Sequence, residues 1–193
     1  MNIFSRFRKP GRAARADEIQ SRLLGDRIVF IGTPIDDQVA NLAIAQMLFL
    51  ESEDPRQDIN LYVNSPGGAI TASMAIFDAI EGVRPDVTTI CMGRAAGTAA
   101  LLVARGTRGK RFALPTATFS FVPSTISGNA GLTRSQIAEL ERMDRLCLEA
   151  FGKCLRRPRE EIRKAFEGEL TLTSGEAIDF GLIDAIVRGG ASG

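Results

Sequence analysis

Few residues of this chain can do chemistry. It contains no histidine, so Ser–His, Cys–His and His–metal chemistry cannot come from this chain alone. Its three cysteines, Cys91, Cys147 and Cys154, form no CxxC pair, which argues against a zinc or redox motif. Cys147 and Cys154 would sit on one helix about 10 Å apart in rise, too far for a disulfide. Lysine is confined to Lys9, Lys110, Lys153 and Lys164, which leaves few bases for a Ser–Lys centre.

One stretch has the plan of a catalytic turn. In CMGRAAGTAALLVARG, residues 91–106, an apolar run from Val87 to Met92 ends at Gly93 and a small-residue helix starts a few positions later. In hydrolases with a strand–turn–helix plan, the turn holds a nucleophilic serine up to the substrate. Here the tip is Gly97, which has no side chain to react. Thr98 adjoins it without an evident base. Ser120 on the neighbouring predicted strand and Lys110 are the other candidates for a relocated Ser–Lys or Thr centre. SPGGAI places Gly67 and Gly68 at a turn that opens a helix. Exposed backbone N–H groups there can bind an oxyanion, or the glycines serve only to make the turn tight.

The elements that must hold these residues alternate. RIVFIG, INLYVN and DVTTICMG read as strands, and KRFALP and TATFSFV are strand-like. DEIQSRLLG reads as a short helix stopped by Gly25. DDQVANLAIAQMLFLESED starts at an Asp36 or Asp37 N-cap and puts Val39, Ala43, Met47 and Leu50 on one face. AITASMAIFDAIEGV is a helix ending near Gly82, with Pro85 just beyond. Strand and helix at this spacing predict βαβ units in an α/β fold. The longest helix, Thr133 to Leu155, pairs Glu141 with Arg145 and Glu149 with Lys153 at i,i+4 spacing. Its apolar residues, including Ile137, Leu140, Met143, Leu146, Phe151 and Leu155, spread wider than one core stripe, so it is either a well-buried helix or one that packs on its own domain and on a neighbouring subunit. PREEIRKAFEG is a second short helix, and TSGEAIDFGLIDAIV is helix, turn and final strand. The chain of 193 residues is read as a basic flexible arm over 1–16 and a single domain over 17–193. A net charge of +1 gives no strong field for nucleic acid. No apolar segment reaches the roughly 18 residues of a membrane span. No signal peptide is read, and a reducing, cytoplasmic setting is expected.

Several blocks carry a resemblance. SRLLGDRIVFIGTPIDDQVANLAIAQMLFLESEDP, INLYVNSPGGAITASMAIFDAI, RPDVTTICMGRAAGTAALLVARGTRGKRFALP and SGEAIDFGLIDAIV together strongly resemble the proteolytic subunit of the Clp protease, the ClpP family, over roughly residues 18–187. The resemblance implies the ClpP/crotonase fold: repeated ββα units with a long handle helix, here about 123–157, that joins heptameric rings fed by AAA+ unfoldases. It also implies a Ser–His–Asp triad whose serine lies in a turn usually reading A-A-S-M-G-A. The matching stretch is AAGTAA, which puts the nucleophile position at Gly97. The histidine position falls on Val122 and the acid on Glu169. The family's oxyanion hole maps to Gly68 and Thr98, and its unfoldase-docking pocket to Tyr62, Ile90, Met92, Phe112 and Leu114. Asn60 and Gly82 stand where the family is usually aromatic, and Gly168 stands where it commonly has an arginine that helps pair the rings. With two triad members replaced, the chain resembles an inactive, ClpR-like homologue kept for assembly, with itself or an active ClpP-like paralogue as partner and no cofactor or metal. A peptidase with a relocated centre and a crotonase-like acyl-CoA enzyme are the alternatives.

Overall fold

Short apolar runs bounded by turn residues supply a mostly parallel sheet. The computed structural model describes residues 12–122 and 133–187. Strands β1 (Ile28–Ile31), β2 (Ile59–Ser65), β3 (Val87–Ala96) and β4 (Arg111–Ala113) lie side by side and parallel, with β7 (Ala185–Ile186) beyond β4. Helices α2 (Asp37–Glu53), α3 (Ile70–Gly82) and α4 (Thr98–Arg105) connect successive strands. Crossovers that step in one direction along a sheet with one hand put their helices on one face. On that face Val29, Ile31, Ile59, Leu61, Val63, Val87 and Cys91 are buried. The predicted Asp36 caps α2 by accepting from the Val39 N–H, and α2 buries Ala40, Ala43, Met47 and Leu50. Val39 is only half-buried at the edge of that stripe.

Arg27 closes the first crossover. Its backbone is left-handed, at φ +59°. Its guanidinium donates to the carbonyl oxygens of Leu50, Asp54, Gln57 and Asp58, at 2.7 to 3.1 Å. The buried charge is thus met by the carbonyl-rich C-terminus of α2, where the helix dipole favours a cation.

The second layer of the chain is built on aromatics. Helix α5 (Arg134–Leu155), α6 (Arg159–Glu167) and α7 (Ser174–Phe180) bring Phe151, Phe166 and Phe180 around Phe121, with ring centroids 5.2 to 5.4 Å from it. Among the described side chains of α5, Cys147, Ala150, Phe151 and Leu155 are buried, whereas Ile137 and Leu146 are 44% and 37% exposed.

The structure departs from the sequence reading in several places. Strand β3 does not end at Gly93. It runs on to Ala96, with a register shift against β2 between Val63 and Ser65 and a left-handed Gly93 at φ +74°. A short strand β6 (Thr171–Thr173) pairs antiparallel with β5 (Thr118–Ser120), which itself runs parallel to the far end of β3. Helix α1 (Arg12–Gly25) begins inside the stretch read as an arm; residues 1–11 lie outside the described residues, as does the handle segment 123–132. Glu141–Arg145 and Glu149–Lys153 are not ion pairs among the described residues. Glu139 pairs instead with Arg142 at 2.7 Å, and Glu149 with Arg159 at the start of α6 at 3.4 Å. Among the described residues no helix is long and apolar enough to cross a membrane.

Candidate functional site

The turn from β3 into α4 builds the site. Gly97 is the residue before α4, at φ +52° and ψ −123°. Its N–H donates to the Ser120 carbonyl at 2.8 Å, extending the pairing of Ala96 with Ser120 between β3 and β5. A Cβ built on Gly97 would lie 3.4 Å from the Val122 carbonyl oxygen and 3.7 Å from Val122 Cγ2. Ser120 pairs with Thr171, and the Phe121 N–H donates to the Leu170 carbonyl at 2.8 Å. Gly97 and Val122, far apart in sequence, therefore meet at the end of β5. Glu169 is exposed and left-handed, at φ +47°, in the turn that follows α6.

The double-glycine turn abuts this point. Gly67 is at φ +84°, and a Cβ there would stand 2.5 Å from the Ala96 carbonyl. A Cβ on Gly68 would collide with the backbone of Ile35, to which Gly68 is bridged. Both glycines are thus required by close backbone approach, which satisfies the tight-turn reading. The oxyanion reading meets an obstacle that the sequence did not show. The Gly68 N–H donates to Thr98 Oγ1 at 3.2 Å, and Ser73 Oγ donates to the same oxygen at 2.8 Å. Ser73 was missed in the sequence because a small residue on a small-residue helix gives no signal of its hydroxyl's partner.

The candidates for a relocated centre are placed as follows. Lys110 Nζ lies 2.6 Å from Asp58 and 2.8 Å from Asp86, and its hydrogen bonds to these carboxylates raise its pKa, so it stays charged rather than acting as a base. It lies beside Thr89 on β3, eight residues before Gly97, or roughly 25 Å along an extended strand. Ser120 Oγ shares a hydrogen bond with Thr171 Oγ1 at 3.0 Å. Thr98 is 3% exposed. Burial pushes the Cys91 thiol up to about 12, which keeps it from forming a thiolate. Among the described residues no group of His, Cys, Asp or Glu could hold a metal ion.

Tyr62, Ile90 and Phe112 form one register row across β2, β3 and β4, joined on β1 by Phe30. Met92 and Leu114 follow two residues along on the same face. This face carries no helix of the preceding crossovers, and Phe30 is 50% exposed. Asn60 lies on the same face one row back, paired with Thr88, whereas Gly82 ends α3. A groove of about 600 Å³ between α3, α4 and α5, lined by residues such as Phe77, Arg105, Leu146 and Cys154, includes none of the residues above.

A mixed α/β chain with a mostly parallel sheet, whose β3–α4 turn meets β5 and a double-glycine turn, is consistent with the ClpP/crotonase fold. The chain belongs to the Clp protease family, whose model matches residues 11–190. Proteins of the ClpP family form oligomeric rings.

Proposed function

We propose that this chain is a non-catalytic subunit of a Clp-type, ATP-dependent protease, retained for ring assembly beside itself or an active ClpP-like paralogue. One observation carries the reading: where Gly97 meets Val122 there is neither a nucleophilic oxygen nor an imidazole, and Val122 Cγ2 packs 3.7 Å from where a side chain at 97 would start. A serine hydroxyl needs a base within hydrogen-bond reach, and in a serine protease the loss of nucleophile or base costs about a million-fold in kcat, or roughly 8 kcal/mol. The placement of Lys110 far along the sheet disfavours a Ser–Lys substitute.

The apolar residues left uncovered on α2 and α5, among them Leu48, Phe49, Ile137 and Leu146, suit contact with ring neighbours. The row through Tyr62, Ile90 and Phe112, with Met92 and Leu114, is the surface for an AAA+ unfoldase, and Asn60 on the same face weakens it. In a mixed ring this biases the unfoldase toward the partner's face. Three unpaired cysteines fit a reducing, cytoplasmic setting.

The test is direct. The purified chain should not turn over small fluorogenic peptides, which need no unfoldase. Size-exclusion chromatography with light scattering, on the chain alone and co-expressed with an active paralogue, should show ring-sized, heptamer-based oligomers. Peptide turnover abolished by Ser120→Ala, Thr98→Ala or Lys110→Ala would overturn the chemical half of the proposal. A stable monomer in both samples would overturn the assembly half.

A further inference from the structure

The oxyanion cradle is filled from within. The Gly68 N–H, the donor that would hold a carbonyl oxygen, already donates to Thr98 Oγ1, and Ser73 Oγ donates to that oxygen too. A hydroxyl oxygen has two acceptor lone pairs, and both are used. Ser73 is fully buried and Thr98 nearly so, so water does not compete for the pair. Thr98 is β-branched, which limits its rotamers in the first turn of α4 and holds Oγ1 in place. Gly68 itself is exposed and its N–H contact with Thr98 is part-buried, so the donor at the edge of the cradle is already occupied. The turn that this stretch resembles carries methionine in place of Thr98, and a thioether is only a weak acceptor. A cradle of that kind leaves the glycine N–H free for a carbonyl.

We propose that Thr98 is the resident ligand of the cradle. Its Oγ1 stands where a peptide carbonyl oxygen would accept from Gly68, and Ser73 fixes it there by tying α3 to α4. The groove is closed to carbonyl anchoring by a contact separate from the loss of nucleophile and base. This rests on reading Gly97 as a vacated nucleophile position. Rebuilding the triad without changing Thr98 therefore leaves the transition state without one of its two oxyanion donors, and single donors of this kind are worth about 100- to 1,000-fold in kcat.

Two measurements on the full chain test it. In amide hydrogen exchange, Gly68 should be protected in the native chain. Thr98→Val, which keeps the shape and removes the acceptor, should speed its exchange by about tenfold, the scale of one neutral hydrogen bond. Thr98→Ser, which keeps the hydroxyl, should preserve protection. Equal exchange in the native and Thr98→Val chains overturns the proposal. Second, a fluorophosphonate probe is applied to Gly97→Ser/Val122→His/Glu169→Asp with and without Thr98→Met. Labelling at least tenfold faster with Thr98→Met supports the proposal, and equal labelling overturns it. If neither variant labels, the exchange result decides. Labelling of the unaltered chain would instead refute the vacated nucleophile, leaving the Gly68–Thr98 contact to be judged by exchange.

Discussion

Gly97 offers a sharp test of what its backbone demands. At φ +52° and ψ −123° the residue occupies a region that side chains bearing a Cβ rarely adopt. A Cβ there nevertheless has room, since its nearest neighbours are 3.4 and 3.7 Å away. Any cost of Gly97→Ala or Gly97→Ser is therefore conformational, not steric. Holding a non-glycine residue in such a conformation costs about 1–3 kcal/mol. Replacing glycine recovers about 0.4–1 kcal/mol by narrowing the unfolded ensemble. The net expectation is a loss of about 1–2 kcal/mol for either substitution, with Ala and Ser alike. For a chain of this size that is about 2–8 °C in Tm. The assay is urea denaturation at fixed protein concentration, with the slope held equal so that the midpoint reports stability. The fixed concentration matters because assembly adds concentration-dependent stability. A serine penalty absent from alanine, or no penalty in either, would refute the strain argument. The same reasoning gives glycine a gain once no hydroxyl has to be presented: the strain of an elbow serine disappears with the serine.

Other outcomes follow from the structure. Arg27→Met should lose about 2–3 kcal/mol in the same denaturation experiment, because it removes the guanidinium donor to the carbonyls of Asp54, Gln57 and Asp58; a change under half a kcal/mol would show that α2 closes without it. For Asp184, burial pushes the carboxyl up, but hydrogen bonds from the Arg111 side chain and from the Arg111 and Gly109 amides outweigh it and hold the pKa below the usual aspartate value. A depressed folded pKa means that this stabilisation is present above the unfolded pKa, near 4, and is lost as pH falls below it. Asp184→Asn should flatten the fall in urea midpoint below pH 4, and an unchanged acid slope would count against the coupling. Burial pushes the Cys91 and Cys147 thiols up to about 12, with Asp144 adding to the effect at Cys147. A thiol reagent at neutral pH should therefore leave both unmodified in the native chain and react with all three cysteines in denaturant.

The parallel strands and α2 could be read from the sequence because each is a buried run with strong flanking signals. Gly93 misled because glycine usually ends a strand. Here the Asn64 side chain accepts from the Arg94 N–H at 3.3 Å, which carries the strand through a kink that glycine's left-handed backbone makes possible. Strand β6 was invisible: Thr171, Leu172 and Thr173 bury one residue, and only the partner strand makes them a strand. That gap matters for the site. Glu169 lies two residues before β6, so its assignment came from motif register and not from the local pattern. The Gly68–Thr98–Ser73 hydrogen bonds were hidden for a similar reason, since they join residues on three separate elements.

The buried end of α5 makes the helix a cantilever. It is about 33 Å long at 1.5 Å per residue, clamped by Phe151 against Phe121 and Phe166, with Ile137 exposed near its start. A rod held at one end pivots on its clamp. A neighbour that leans on the free end applies its torque at the buried end, where Phe151 meets Phe121, directly before Val122, and Phe166. Strain from assembly thus has a short mechanical route to the end of β5, whatever residue stands there.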